Sequence, residues 1–312
     1  MTTLTDTGTD TRVADLERTL GKYKSELNNI QKILPLIVTA RTELSRPAEG
    51  IDGWSVNVPL AGEGGGDLFH FVDFKEDFGL ERIIARATTL GHKKRLNQLI
   101  KHRRRIGTVF LDVTGHTWGD TILARAYLRD LLQRIPDSLE YRGQVTCGTL
   151  ERLNNLSYRG DDSMSKMTPF SYSEITTDGN GDAAQLKLVN AGMPLPLIYR
   201  AQSKTFDTTI GEKWRETGSM PLGLTPSQDF NVNKTTLARG DIVLMCGDGI
   251  LEFGKLEQKD YMQDVRKIVS DSPTKPSREI GENIMDYLLT SGSKQHDDVT
   301  LGIIRYEGKR KV

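Results

Sequence analysis

The apolar positions near the start of the chain fall at Val13, Leu16, Leu20, Tyr23, Leu27, Ile30, Leu34 and Ile37, alternately three and four residues apart. On an otherwise charged segment this is a heptad seam, and it predicts a helix whose stripe is covered by a second copy of itself. An amphipathic helix folded back on its own domain carries a similar stripe. Pro35 marks the frayed end. The expected organisation is a polar tail over 1–10, a dimerising or regulatory helix over 11–40 and one larger domain over 41–308.

From Trp54 the period changes. WSVNVPLA and DLFHFVDF alternate as half-buried strands do, and GTVFLDV, Gly107 to Val113, is a continuous apolar run suited to a buried strand. Between the last two lies an insert over 76–106 with helical spacing at Ile83, Ala87 and Leu90, a break at Gly91 and seven Lys or Arg from Lys93 to Arg105 without an acid. Residues 118–135 and 149–156 read as helices. FSYSEIT, AAQLKLVNA, PLIYR, DFNVNKT and DIVLMC read as strands separated by Gly, Pro and Asp turns. Helices over 255–270 and 277–290 and a strand over 299–306 complete the order. Strands and helices come in blocks and not in βαβ alternation, which predicts an α+β layered sandwich.

Composition narrows the function. The 42 basic and 42 acidic residues of the 312-residue chain cancel, so no global charge draws it to nucleic acid or to an anionic membrane. The basic insert lacks aromatic residues to stack on bases, and a solvated helix face is its simplest reading, ahead of docking to an acidic or phosphorylated partner. No stretch approaches the length and apolarity of a membrane span. Cys147 and Cys246 have apolar neighbours and read as small buried residues, consistent with a reducing, cytoplasmic setting.

Carboxylates beside glycine recur at strand ends: Asp67 in GGGD, Asp112 in LDVTGH, Asp248 in CGDG, and Asp297 and Asp298 in HDDVT. Glycine lets backbone approach an ion closely, and several such carboxylates from separate strands make an all-oxygen site suited to Mg²⁺ or Mn²⁺. Any one of them alone is an ordinary turn signal.

In chain order, GGGDLFHFVDF, FLDVTGH, NAGMPLPLIYR, GSMPLGL, GDIVLMCGDGILE and HDDVTLGIIRY resemble the successive blocks of the SpoIIE/RsbU-type branch of the metal-dependent (PPM, protein phosphatase 2C-like) serine/threonine protein phosphatases. IQKILP, Ile30 to Pro35, resembles the helix end that precedes the domain in that family. The resemblance implies an αββα sandwich of two antiparallel sheets flanked by helices. It implies two metal ions, with Asp112 bridging both, the Val113 carbonyl and Asp67 as ligands, and Asp248 and Asp297 serving the second ion; Asp298 is a lesser candidate. Asp67, Asp112 and Asp248 would carry the catalysis.

Two cations about 3.5–4 Å apart can activate a shared water and neutralise phosphoryl oxygens, so no Cys or Ser nucleophile is required. The implied substrate is a phosphorylated regulatory protein, an anti-sigma-factor antagonist in a partner-switching pathway. The rival reading is a catalytically weak dimeric module of the same fold that binds signalling partners. Three positions depart from the family pattern: Thr117 and Gly247 stand where glycine and threonine are usual, and Met193 where histidine is. Neither His116 nor His296 is assigned as a proton donor.

Overall fold

A computed structural model describes residues 12, 16–25, 40–44, 50–60, 64–115, 117–158, 167–208, 214, 217–254 and 259–308. The chain divides into two compact units, residues 1–39 and 40–312. In the first, residues 16–25 form helix α1, and its seam residues Leu16, Leu20 and Tyr23 are 69%, 54% and 61% exposed. The other seam positions lie outside the described residues.

The second unit holds two five-stranded antiparallel sheets. One has the order β1-β10-β9-β6-β7, built from β1 (Ile51–Val58), β6 (Leu197–Arg200), β7 (Thr205–Phe206), β9 (Ile242–Cys246) and β10 (Val299–Tyr306). The other has the order β2-β3-β4-β5-β8, built from β2 (Asp67–Asp73), β3 (Arg105–Asp112), β4 (Phe170–Thr177), β5 (Ala183–Ala191) and β8 (Asn233–Ala238). Alternation along the strands sends Phe69, Phe71, Phe110, Leu186 and Leu188 of the second sheet toward Val243, Met245 and Ile304 of the first, which forms the central core.

Helices cover both outer faces, completing the αββα sandwich. Over β1, β9 and β10 lie α8 (Tyr261–Asp271) and α9 (Ser277–Thr290), which contribute Val265, Val269, Ile280, Ile284 and Leu288. Over β2 and β3 lies α5 (Trp118–Arg142), adjoining α6 (Cys147–Ser157). The expected end of α5 at Ile135 falls short. The helix passes through Pro136, which forfeits one backbone bond, and continues because Leu128, Leu131, Ile135 and Leu139 keep one buried stripe.

The strand expected at DFNVNKT begins later, at Asn233. Phe230 is buried in the preceding loop, while the ladder to β5 is made by the more polar NKTTLA.

The insert forms α2 (Phe74–Asp77), α3 (Leu80–Thr89), α4 (Lys93–Lys101) and a 3₁₀ turn His102–Arg104. Its break is at Gly91, whose φ of +67° is a left-handed conformation that glycine adopts without strain. Three of its seven basic side chains serve the fold: Arg103 pairs with Glu81, Arg104 donates to the Asp178 carbonyl at 2.9 Å, and Arg105 is buried against Glu174. The expected solvated face therefore reduces chiefly to Lys93, Lys94 and Lys101, which are exposed.

Residues 40–44 strap the exposed edges of the two sheets together. Ser55 N donates to Thr42 O at 2.8 Å on β1, and Phe71 N donates to Arg41 O at 2.9 Å on β2. Within the sandwich, β2 is locked by the opposing sheet. An added Cβ at Gly302 would stand 2.2 Å from the Phe69 ring, so that aromatic side chain occupies the notch the glycine leaves. Gly302→Ala is therefore expected to lower the free energy of unfolding by about 1–3 kcal/mol, read from urea denaturation.

Candidate metal centre

Asp67 opens β2 and Asp112 closes β3, and the strand register makes them direct cross-strand partners. Asp67, Phe69 and Phe71 share one face of β2, as Asp112, Phe110 and Thr108 share one face of β3. Both carboxylates therefore stand at the end of the space between the sheets. The opposite sheet brings Thr300 of β10 and Gly247, which follows β9, to the same place. A Cβ at Gly247 would lie 2.9 Å from Asp67 Oδ2, so the glycine that replaces the usual threonine leaves room for this carboxylate.

Gly247 is also the N-cap of α7 (Asp248–Glu252), which places Asp248 in its first turn. Asp297 lies just before β10, and a Cβ at Gly249 would approach its Cβ to 3.3 Å. The structure thus pairs the aspartates singled out from the sequence: Asp67 faces Asp112, and Asp248 neighbours Asp297. The Val113 carbonyl lies against Gly66, where an added Cβ would stand only 1.9 Å from the oxygen, and Val113 N donates back to Gly66 O at 3.1 Å.

Asp298 has a different place from the other four. It is buried, with Oδ1 accepting from Leu60 N at 2.8 Å and Oδ2 from Asp67 N at 3.3 Å. It ties the β1–β2 connection and the start of β2 to the start of β10. Sequence alone showed a pair of acids, not that the second grips backbone.

The first turn of α5 holds the neighbouring loops. Thr117 and Asp120 form a reciprocal capping box, and Gly65 N donates to Thr121 Oγ1 at 2.9 Å. Thr117, which stands in place of the usual glycine, is accordingly the N-cap. Met193, in the usual histidine position, is buried and its carbonyl accepts from Asn190 Nδ2 at 2.8 Å.

The electrostatics are those of like charges gathered out of water. Burial, then Asp112, pushes the Asp67 carboxyl well above its ordinary value; Asp298 and Asp248 add to this, and the Thr300 hydroxyl works the other way. Burial, then Asp297, also raises Asp248. The charged groups that shift both aspartates are other acids, and Asp67 Oδ2 is buried without a hydrogen-bond partner.

A divalent cation is the partner such a set fits. Among the described residues no three His, Cys, Asp or Glu side chains enclose one point.

Among the described residues no histidine joins a group of three side chains that could hold a metal. His116 lies outside the described residues, and His92 and His296 are exposed. Burial lowers His70 to about 4 and His102 to about 3, so both are neutral near pH 7. Cys246 is buried as expected and its thiol is pushed up to about 12. Cys147 corrects the expectation of burial: it is half-buried at a cavity, with Sγ donating to Phe230 O.

The sequence pattern of the family described as Stage II sporulation protein E (SpoIIE) matches residues 102–307, two thirds of the chain. The chain belongs to the SpoIIE family. It is 24% identical over 262 residues to the phosphoserine phosphatase RsbU of Bacillus subtilis, an alignment covering 82% of this chain and 64% of that protein. Among solved structures it resembles the PP2C phosphatase domain of SpoIIE with a fragment of its regulatory domain, from Bacillus subtilis. The TM-score is 0.60 at 15% identity, over 83% of this chain and 64% of that one.

The SiaA-PP2C domain of Pseudomonas aeruginosa gives a TM-score of 0.59 at 15% identity, over 92% and 98% of the two chains. The RsbU and RsbW domains of Rv1364c from Mycobacterium tuberculosis give 0.58 at 20%, over 87% and 64%. These structures share the fold of this SpoIIE-family member.

A carboxyl with a raised folded-state pKa holds its proton more tightly folded than unfolded. Its ionisation therefore removes stability as pH rises from 3.8 through the raised value. Without metal, Asp67→Asn should melt about 2–3 °C above wild type at pH 7, and the difference should shrink toward pH 4. Saturating Mn²⁺ should raise the wild-type midpoint and leave the variant's nearly unchanged, as measured by calorimetry.

Proposed function

We propose that this chain is a metal-dependent protein phosphatase that hydrolyses phosphoserine or phosphothreonine on a regulatory protein. The observation that carries the reading is buried Asp67 facing half-buried Asp112 across the β2–β3 register, with Asp248 beside Asp297 at the same end of the sandwich. Asp67, Asp112, Asp248, Asp297 and the Val113 carbonyl are the groups that would hold Mg²⁺ or Mn²⁺. Such ions would supply charge neutralisation for phosphoryl oxygens and a lowered pKa for water.

The chain's own contribution is placement. The register fixes Asp67 opposite Asp112, Asp298 holds the Asp67 backbone, and the glycines at 65, 66 and 247 leave room where a Cβ would collide. Hydrolysis adds one water across the phosphorus–oxygen ester bond: phosphorus gains the water oxygen, the serine or threonine oxygen gains a proton, and inorganic phosphate leaves. No side chain here is assigned the proton.

Membership of the SpoIIE family and the similarity to RsbU support a substrate in a partner-switching pathway, such as a phosphorylated anti-sigma-factor antagonist. Because the chain spans 64% of the length of RsbU, that assignment rests on the shared domain and not on a whole-protein match. Among the described residues no helix is long and apolar enough to cross a membrane. The exposed seam of α1 supports a parallel homodimer through the N-terminal helix.

Purified protein with Mn²⁺ should hydrolyse p-nitrophenyl phosphate, and EDTA should stop it. Asp112→Asn should reduce the rate by more than about 100-fold, beyond the range for groups that only orient a ligand. If wild type and Asp112→Asn are equally inactive, also on phosphoproteins, the binding-module reading replaces this one. Dimerisation has its own test. By light scattering, a chain beginning at Ala40, which keeps the strap, should be monomeric where the full chain is dimeric.

A further inference from the structure

The outer face of the second sheet carries a row of charges that the carboxylate cluster does not use. The register sets Glu174 of β4 opposite Lys187 of β5, and Lys187 opposite Lys234 of β8. Glu174 is already engaged: Oε2 pairs with buried Arg105 Nη1 at 2.9 Å, and Oε1 accepts from the Tyr172 hydroxyl at 3.0 Å. One acid with its partner in place thus lies beside two cross-strand lysines. Neither Lys187 nor Lys234 has a carboxylate within ion-pair distance among the described residues. Like charges directly opposite one another in a sheet are destabilising.

These lysines line a cavity of about 260 Å³ beneath the α5–α6 connection, whose walls include Leu150, Leu188, Val189 and Val232, and also Glu174, which is paired with Arg105. Lys187 is half-buried there. Burial holds its ammonium below the usual range; Glu174 is the largest charge acting on it and works in the other direction, and Arg105, Lys234 and Lys101 add to the lowering. Lys101 and Arg105 belong to the basic run noted in the sequence, so part of that run adds to the same positive field. Thr146 and Cys147, the N-cap and first residue of α6, also line the cavity, and a helix start is partly positive.

We propose that this cavity is a binding site for a phosphoryl oxyanion, held between the ammonium groups of Lys187 and Lys234. A phosphate monoester carries about −1.5 to −2 charge at neutral pH and so balances both lysines, where a carboxylate balances one. Lysine ammonium groups bind phosphate as point charges, and the apolar part of the wall, Leu150, Leu188, Val189 and Val232, strengthens the attraction. The volume is below the roughly 300–1,000 Å³ of drug-sized ligand sites, which selects a single phosphoryl group over a nucleotide.

The site is separate from the aspartates. Leu111, next to Asp112, pairs with Phe170, and Glu174 lies four residues further along β4, about 13 Å away and on the outer face. The proposal does not depend on the phosphatase reading.

The test is calorimetric titration of the EDTA-treated full chain with inorganic phosphate, under which the metal-free aspartates repel anions. Wild type should show saturable binding. Lys187→Gln with Lys234→Gln should weaken it about tenfold or more, and Lys93→Gln with Lys94→Gln, which removes equal charge elsewhere, should leave it unchanged. Lys234→Gln alone, at an exposed position, should also weaken binding and covers any misfolding of the double variant.

O-phosphoserine as a second titrant separates the sources. Binding comparable to that of phosphate assigns a protein-borne group, and phosphate alone assigns the free anion; either result supports the site. Absence of saturable binding to wild type, or equal loss in both double variants, overturns it.

Discussion

The structure is organised around the repulsion among aspartates held together at the end of an apolar sandwich. Desolvating a carboxylate is unfavourable, and placing a second beside it is more so. Asp67 and Asp112 face each other because β2 and β3 pair in one register, and that register is fixed deeper in the core. Phe69 fills the notch at Gly302, and Phe71 sits against Gly53, where a Cβ would approach the ring to 2.9 Å. A slip of one residue would turn these rings outward and carry Asp67 with them. Core burial thus supplies the stabilisation that offsets the local strain of the charges, and it couples that stabilisation to their position.

Backbone, more than side chains, completes the enclosure. Gly65 stands where a Cβ would lie 2.3 Å from Asp298 Oδ2, and a Cβ at Gly249 would meet Asp298 O at 2.1 Å. Asp298 therefore sits among four converging chain segments and holds two of them through amide groups. This explains why one acid of the HDDVT pair is spent on positioning while Asp297 stays beside Asp248. The departures from the family pattern follow the same logic. Thr117 is accommodated as the N-cap of α5, and Gly247 yields space to Asp67, so neither disturbs the aspartates.

Much of this was legible in the sequence because it is local or periodic. The helix over 277–290 and the strand over 299–306 follow directly from Ile280, Ile284 and Leu288 and from the VTLGIIRY run. The grouping of Asp67 with Asp112 and of Asp248 with Asp297 came from the family resemblance, since any one Asp-Gly motif reads as an ordinary turn. What failed to show depends on distant partners. The extension of α5 past Pro136 is supported by tertiary packing of Leu139, and β8 pairs through polar NKTTLA because β5 offers an edge, not because its residues favour a strand. The clamp made by Asp298 joins residues 60 and 67 to 298, a separation no spacing rule reaches.

The basic insert shows why a charge run is hard to read in one dimension. Its residues look equivalent in HKKRLNQLIKHRRR, yet the fold gives them unlike roles. Arg105, 5% exposed, pairs with Glu174, so that acid is shared between Arg105 and the cross-strand Lys187. Arg103 pairs with Glu81 within the insert, and Arg104 fastens the insert to the β4–β5 turn. Deleting the run would remove a buried ion-pair partner along with the exposed lysines, and leaving Glu174 buried and unpaired would cost more than the pair itself contributes. Any binding role of the insert is therefore separable from its structural role only at Lys93, Lys94 and Lys101, where solvent already replaces the contacts a substitution would remove.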